Sequence, residues 1–123
     1  MAKVLVLDDV RDAAIMVQKI LQRKGHEVHI FNDEDDALRH VDCQTIDLAI
    51  IDAKLKKMDG LDVLAEIKKK QPKTAVIILT GFPTMDAAQR AIKLGAAAYC
   101  AKPIDKDELE NKVETALRLC DSQ

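Results

Sequence analysis

Residues 47–60 read DLAIIDAKLKKMDG, and the first six of them decide the fold. Leu48 to Ile51 are apolar without alternation, and a lone carboxylate, Asp52, follows at once. A short apolar run without a period of two suits a strand covered on both faces, as in a parallel sheet. Of four other short apolar runs, two, VLVL and AVIIL, share that lack of alternation. Lys3–Leu7, Glu27–Phe31, Ala75–Thr80 and Ala97–Ala101 are predicted strands, with Asp47–Ile51 as the third in order. The intervening segments carry a helical period. Ala13, Met16, Val17, Ile20 and Leu21 form a predicted stripe on the first helix, with Gly25 as its stop. On that reading Ile15 faces solvent, nearly opposite the stripe. Leu109, Val113, Ala116, Leu117 and Cys120 form a similar stripe on the last helix, and Gly95 ends the fourth. Asp59 and Thr84 are candidate N-caps, each with an acid in the following turn.

Strand and helix thus alternate five times, which predicts an α/β domain: a parallel sheet with helices on both faces. Ligands of such open sheets sit beyond the carboxyl ends of the strands. The 123 residues hold one domain, taken as 1–123, without repeat or linker. A net charge of −2 argues against direct nucleic-acid binding, and Tyr99, Phe31 and Phe82 are too few for base stacking. No apolar run approaches the roughly 20 residues that cross a bilayer, and nothing resembles a signal peptide. Cys43, Cys100 and Cys120 have neither CxxC spacing nor nearby histidine pairs. They read as small hydrophobes of a soluble, cytoplasmic protein.

The chemistry lies where the strands end. Strand 1 runs into Asp8-Asp9, strand 3 into Asp52, strand 4 into Thr80-Gly81 and strand 5 into Lys102-Pro103. Three carboxylates converging on one crevice repel one another unless a cation is present, and oxygen-only ligands suit Mg²⁺. Beside them a lysine and a hydroxyl complete a phosphoryl site, with an aspartate as nucleophile. Taken singly, each residue has a bland explanation: Asp52 a turn, Thr80 a strand end, Lys102 a solvated charge, Asp8-Asp9 a helix cap. Together and in this order they point to one site.

The stretches VLVLDDV, LAIIDAKLKKMDGLDVL, VIILTGFPTMDAA and LGAAAYCAKPID resemble two-component response-regulator receiver domains from one end of the chain to the other. The resemblance implies a flavodoxin-like strand order, 2-1-3-4-5. It implies Asp52 as phosphoacceptor, and Mg²⁺ held by Asp8, Asp9, Asp52 and the backbone carbonyl of Lys54. It gives Thr80 and Lys102 as the catalytic hydroxyl and ammonium, Tyr99 as the aromatic of the switch, and a cis Lys102–Pro103 peptide. The implied partners are a sensor histidine kinase or histidine phosphotransfer protein and a downstream protein target, with no nucleic acid or membrane contacted directly. Kinase docking near helix 1 makes Ile15 a candidate contact. Two departures stand out: Lys56 replaces a usual proline, and Ala97-Ala98 replace frequent acids.

The expected function is a phosphoacceptor signalling domain, not a turnover enzyme. An alternative is the N-terminal receiver of a longer DNA-binding regulator; another is a degenerate receiver that only binds proteins. A haloacid-dehalogenase-like phosphatase needs DxD after strand 1, which DDV does not supply. A flavodoxin-like cofactor binder needs a Ser/Thr/Gly-rich phosphate loop there, which DDVRDAA is not.

Overall fold

The computed structural model describes residues 2–121. Five strands and five helices alternate: β1 (Lys3–Leu7), α1 (Arg11–Arg23), β2 (Glu27–Phe31), α2 (Glu34–Cys43), β3 (Leu48–Asp52), α3 (Gly60–Lys70), β4 (Ala75–Thr80), α4 (Met85–Lys93), β5 (Ala98–Ala101) and α5 (Lys106–Asp121). All strand pairs are parallel, in the order β2-β1-β3-β4-β5. The expected architecture and strand order are therefore both present. Strand boundaries differ from the predicted ones by a single residue at β3 and β5.

The unbroken apolar strands feed two cores. Val4, Val6, Leu48, Ile50, Ile77 and Leu79 face α1 and α5. Their neighbours Leu5, Leu7, Ala49, Ile51, Val76 and Ile78 face the other side, with Ala37, Val41, Leu61, Leu64, Ile67 and Ala91 from α2, α3 and α4. Each large side chain fully removed from water contributes about 1.5–3 kcal/mol. Truncating Ile50 or Ile78 to alanine is therefore expected to cost roughly 2–5 kcal/mol.

Helix 1 is turned relative to its predicted stripe. Ala14, Val17 and Leu21 are buried, whereas Met16 is 63% exposed and Ile15 is half-buried. The small Ala14 lets the helix lie close to the sheet, which centres the contact between positions 14 and 17. Met16, more than Ile15, is the apolar residue this helix offers to solvent. In α5, Leu109, Val113 and Ala116 are buried as expected and Leu117 is partly so, while the Cys120 side chain lies outside the described residues. Cys100 is buried but Cys43, at the end of α2, is exposed and does not act as a core hydrophobe. Gly25 and Gly95 close α1 and α4 with positive φ.

Candidate functional site

Parallel register brings the chemistry to one edge. Leu7 pairs with Ile51, Asp52 with Leu79 and Thr80 with Ala101. The ladder continues past the strand ends, where the Asp8 N–H bonds the Phe31 carbonyl, Ala53 N–H that of Leu79, and Lys102 N–H that of Thr80. Asp8, Asp9, Asp52, Thr80 and Lys102 therefore share one rim, on adjacent strands. Lys102 Nζ lies 2.8 Å from Asp8 Oδ2 and 3.4 Å from Asp52 Oδ2. The Lys102–Pro103 peptide is cis.

Neither member of the acidic pair caps α1. The N-cap of α1 is Val10 and receives no side-chain cap bond; Asp8 Oδ1 instead accepts the Val10 N–H at 2.9 Å, and Asn32 Nδ2 bonds the Asp8 carbonyl. Asp59 and Thr84 do cap their helices, accepting from Leu61 N–H and Ala87 N–H. Asp52 Oδ1 accepts weakly from Lys54 N–H at 3.3 Å. The Thr80 hydroxyl is engaged locally as acceptor of the Phe82 N–H at 3.1 Å, and the half-buried Tyr99 reaches the Thr84 N–H with its hydroxyl at 3.4 Å. A cavity of about 350 Å³ opens beside the rim, lined among others by Asp52, Thr80, Phe82, Tyr99 and Lys102.

The electrostatics are those of crowded acids. Burial pushes Asp52 above the usual carboxylate range, and attraction to Lys102 and the Lys54 N–H bond pull it back in part. Burial also raises Asp9, with repulsion from Glu34 and Asp8 adding to it and Lys56 opposing. For Lys102, burial works against the charged form, but the bond to Asp8 and attraction to Asp8 and Asp52 outweigh it and hold the ammonium above its ordinary value.

One observation bears on a cation. Asp9 Oδ1 is buried and has no hydrogen-bond partner among the described residues, which is costly for a carboxylate oxygen unless a ligand satisfies it. Among the described residues, no three His, Cys, Asp or Glu side chains close around one point. A cation here would draw on backbone carbonyl and water as well as carboxylate, the ligand mix that Mg²⁺ tolerates. The donor set fits a hard divalent cation.

Two residues that pack behind the site escape sequence reading. Glu34 is 1% exposed and accepts the N–H groups of Lys57 and Met58. It falls in helical phase with Ala37 and Val41, so an acid on the buried stripe of α2 was the available signal. Gly60 packs against the end of β3: a Cβ there would stand 2.4 Å from the Asp52 carbonyl oxygen and 2.7 Å from Ala53 Cα. Its signal was a glycine at the first position of a helix, where almost any other residue forms helix more readily.

The model of the response regulator receiver domain family matches residues 4–114. The transcriptional regulatory protein ZraR of Escherichia coli is 36% identical over 93% of this chain, which spans 26% of that regulator's length. Sporulation initiation phosphotransferase F of Bacillus subtilis is 31% identical, over 95% of this chain and 94% of its own. Among solved structures, a CheY-like receiver domain protein from Methanospirillum hungatei superposes with a TM-score of 0.95 at 26% identity, covering 99% of this chain and 98% of that one. A receiver domain protein from Clostridium thermocellum does so with 0.91 at 36% identity, covering 99% and 98%. With the family pattern matched from β1 into α5 and the fold shared throughout, the chain belongs to the response regulator receiver domain family of two-component systems.

Proposed function

We propose that the protein accepts a phosphoryl group on Asp52 and signals through the change this causes. The observation that carries the reading is the Lys102 ammonium held between Asp8 and Asp52, 2.8 and 3.4 Å from their oxygens. An Asp52 oxygen attacks phosphorus, the bond to the donor's leaving group breaks, and an acyl phosphate forms. Lys102 offsets charge on the phosphoryl oxygens, and the Thr80 hydroxyl, released from Phe82 N–H, donates to one of them. Asp8, Asp9, Asp52 and the Lys54 carbonyl would hold Mg²⁺, which when bound neutralises the acids and the incoming phosphoryl oxygens.

Such a domain catalyses only its own phosphorylation and dephosphorylation. Its partners are a sensor histidine kinase or histidine phosphotransfer protein and a downstream protein target, without nucleic acid, in the cytoplasm. Relatives of two kinds keep two outputs in view: a stand-alone phosphotransfer protein, as the match along most of phosphotransferase F favours, and the receiver of a longer transcriptional regulator, as the match to ZraR favours. The presence of the ammonium, the hydroxyl and the acids together at one rim weighs against a degenerate receiver. The test is incubation with acetyl phosphate. Acid-stable, base-labile labelling that needs Mg²⁺ and is lost in EDTA supports the reading; no labelling at any Mg²⁺ concentration would overturn it.

A further inference from the structure

The loop between β3 and α3 carries the Lys54 carbonyl, and its fastening lies elsewhere. Glu34, the first residue of α2, accepts Lys57 N–H at 2.6 Å and Met58 N–H at 3.0 Å with one carboxylate oxygen. These two donors sit within the loop, which Lys54 and Asp59 close with an isolated antiparallel bridge. A carboxylate so deeply buried is tolerated only when strong bonds replace its water, and two backbone donors together with the N-terminal end of α2 supply them. A second clamp is exposed: Lys57 Nζ pairs with Asp33 at 2.8 Å and Asp35 at 3.2 Å. Exposed pairs of that kind contribute little, so the buried one holds the loop.

The loop also reaches the acidic pair. Lys56 lies within it, two residues past Lys54, and the charges of Lys56 and Glu34 are both felt at Asp9. At position 56 the chain has an N–H that proline would lack. One side chain from α2 is thereby linked to the backbone that carries the Lys54 carbonyl.

We propose that Glu34 is a positioning residue for the divalent cation: it fastens the β3–α3 loop so that the Lys54 carbonyl is available beside Asp9 and Asp52, and its charge adds to theirs. This rests on the reading of the site as a Mg²⁺-dependent phosphoryl acceptor. Glutamine at 34 keeps an oxygen for both N–H groups and loses the charge; alanine loses both.

The experiment is Mg²⁺ titration of the unphosphorylated protein by calorimetry, beside acetyl phosphate labelling across Mg²⁺ concentrations. Glu34→Ala is expected to weaken Mg²⁺ binding by about tenfold or more, the scale of losing a group that orients a metal ligand. Glu34→Gln should weaken it less. Labelling at saturating Mg²⁺ should return to within about twofold of wild type in both, since only the cation's affinity is altered. A folded Glu34→Ala protein with wild-type Mg²⁺ affinity would overturn the proposal, as would labelling that no Mg²⁺ concentration restores. Should the alanine variant fail to fold, Glu34→Gln decides: weaker binding supports the proposal, wild-type binding refutes it. If wild type itself neither binds Mg²⁺ nor labels, the acceptor reading falls too; wild-type labelling with indifferent Glu34 variants removes the Glu34 proposal alone.

Discussion

Lys54 holds its ammonium 5.0 Å from the centre of the Phe82 ring, a cation–π contact between the β3–α3 and β4–α4 loops at the mouth of the site. Phe82 is 74% exposed, so its ring has not folded into the packing of α4 and lines the cavity together with Asp52. Hydrolysis of an acyl phosphate needs a water in line with the bond that breaks. A large apolar ring and an ammonium are poor at orienting one. The phosphorylated form is expected to be long-lived for its family. Lys54→Asn/Phe82→Glu should decay about a hundredfold faster in Mg²⁺ buffer, the low end of what a positioned acid–base group contributes. Equal decay of variant and wild type would remove these side chains as the gate.

The Thr80 hydroxyl now accepts from Phe82 N–H, and Tyr99 reaches Thr84 N–H. Moving Thr80 toward a phosphoryl oxygen draws its hydroxyl away from the Phe82 N–H, and both bonds are anchored in the same β4–α4 loop. Structures with and without beryllofluoride are expected to differ in the Thr80–Phe82 bond and the Tyr99 rotamer, shifting the surface of α4, β5 and α5 between two populations. Identical positions in both would uncouple Tyr99 from the site.

Much of this was legible in the sequence because strand ends are written there. Five runs with a polar residue just past each of four of them determine which side chains share a rim, and Asp8, Asp9, Asp52, Thr80 and Lys102 do so. The phase of α1 is not legible there, because Met16 is as hydrophobic as a core residue, whereas close helix–sheet packing selects Ala14. Glu34 and Gly60 act through tertiary contacts, with residues 23 and 24 positions away for Glu34 and with the backbone of Asp52 and Ala53 for Gly60. A pattern of local periods does not contain such contacts.

Gly60→Ala is expected to destabilise the protein by about 1–3 kcal/mol, as overpacking does. The added Cβ would press on the Asp52 carbonyl and Ala53 Cα, both backbone, and neither can turn away. Urea unfolding measures the loss. Wild-type stability in the variant would mean that the β3–α3 loop yields freely.

His26 gives the fold a dependence on pH. Its Nδ1 accepts the Ala2 N–H at 3.1 Å, and burial first, with Lys24 adding to it, lowers its pKa. A histidine with a folded pKa below its unfolded value of about 6.5 stabilises the fold above that pH, and the contribution is lost as pH falls toward the folded pKa. His40 is lowered as well, by burial and His29, and adds in the same direction. Denaturant unfolding at about pH 7.5 and 5.5 should show a smaller loss in His26→Asn, which keeps an acceptor but does not titrate. An unchanged loss would assign the effect to other groups.

Asp52 is the centre on which the functional reading turns, and intact-protein mass spectrometry after acetyl phosphate treatment in Mg²⁺ tests it most directly. Wild type is expected to gain the mass of one phosphoryl group, mapped to Asp52 by peptide sequencing, and Asp52→Asn to gain none while giving the same circular dichroism. An Asp52→Asn protein that gains the phosphoryl group as fully as wild type, on another aspartate, would contradict it.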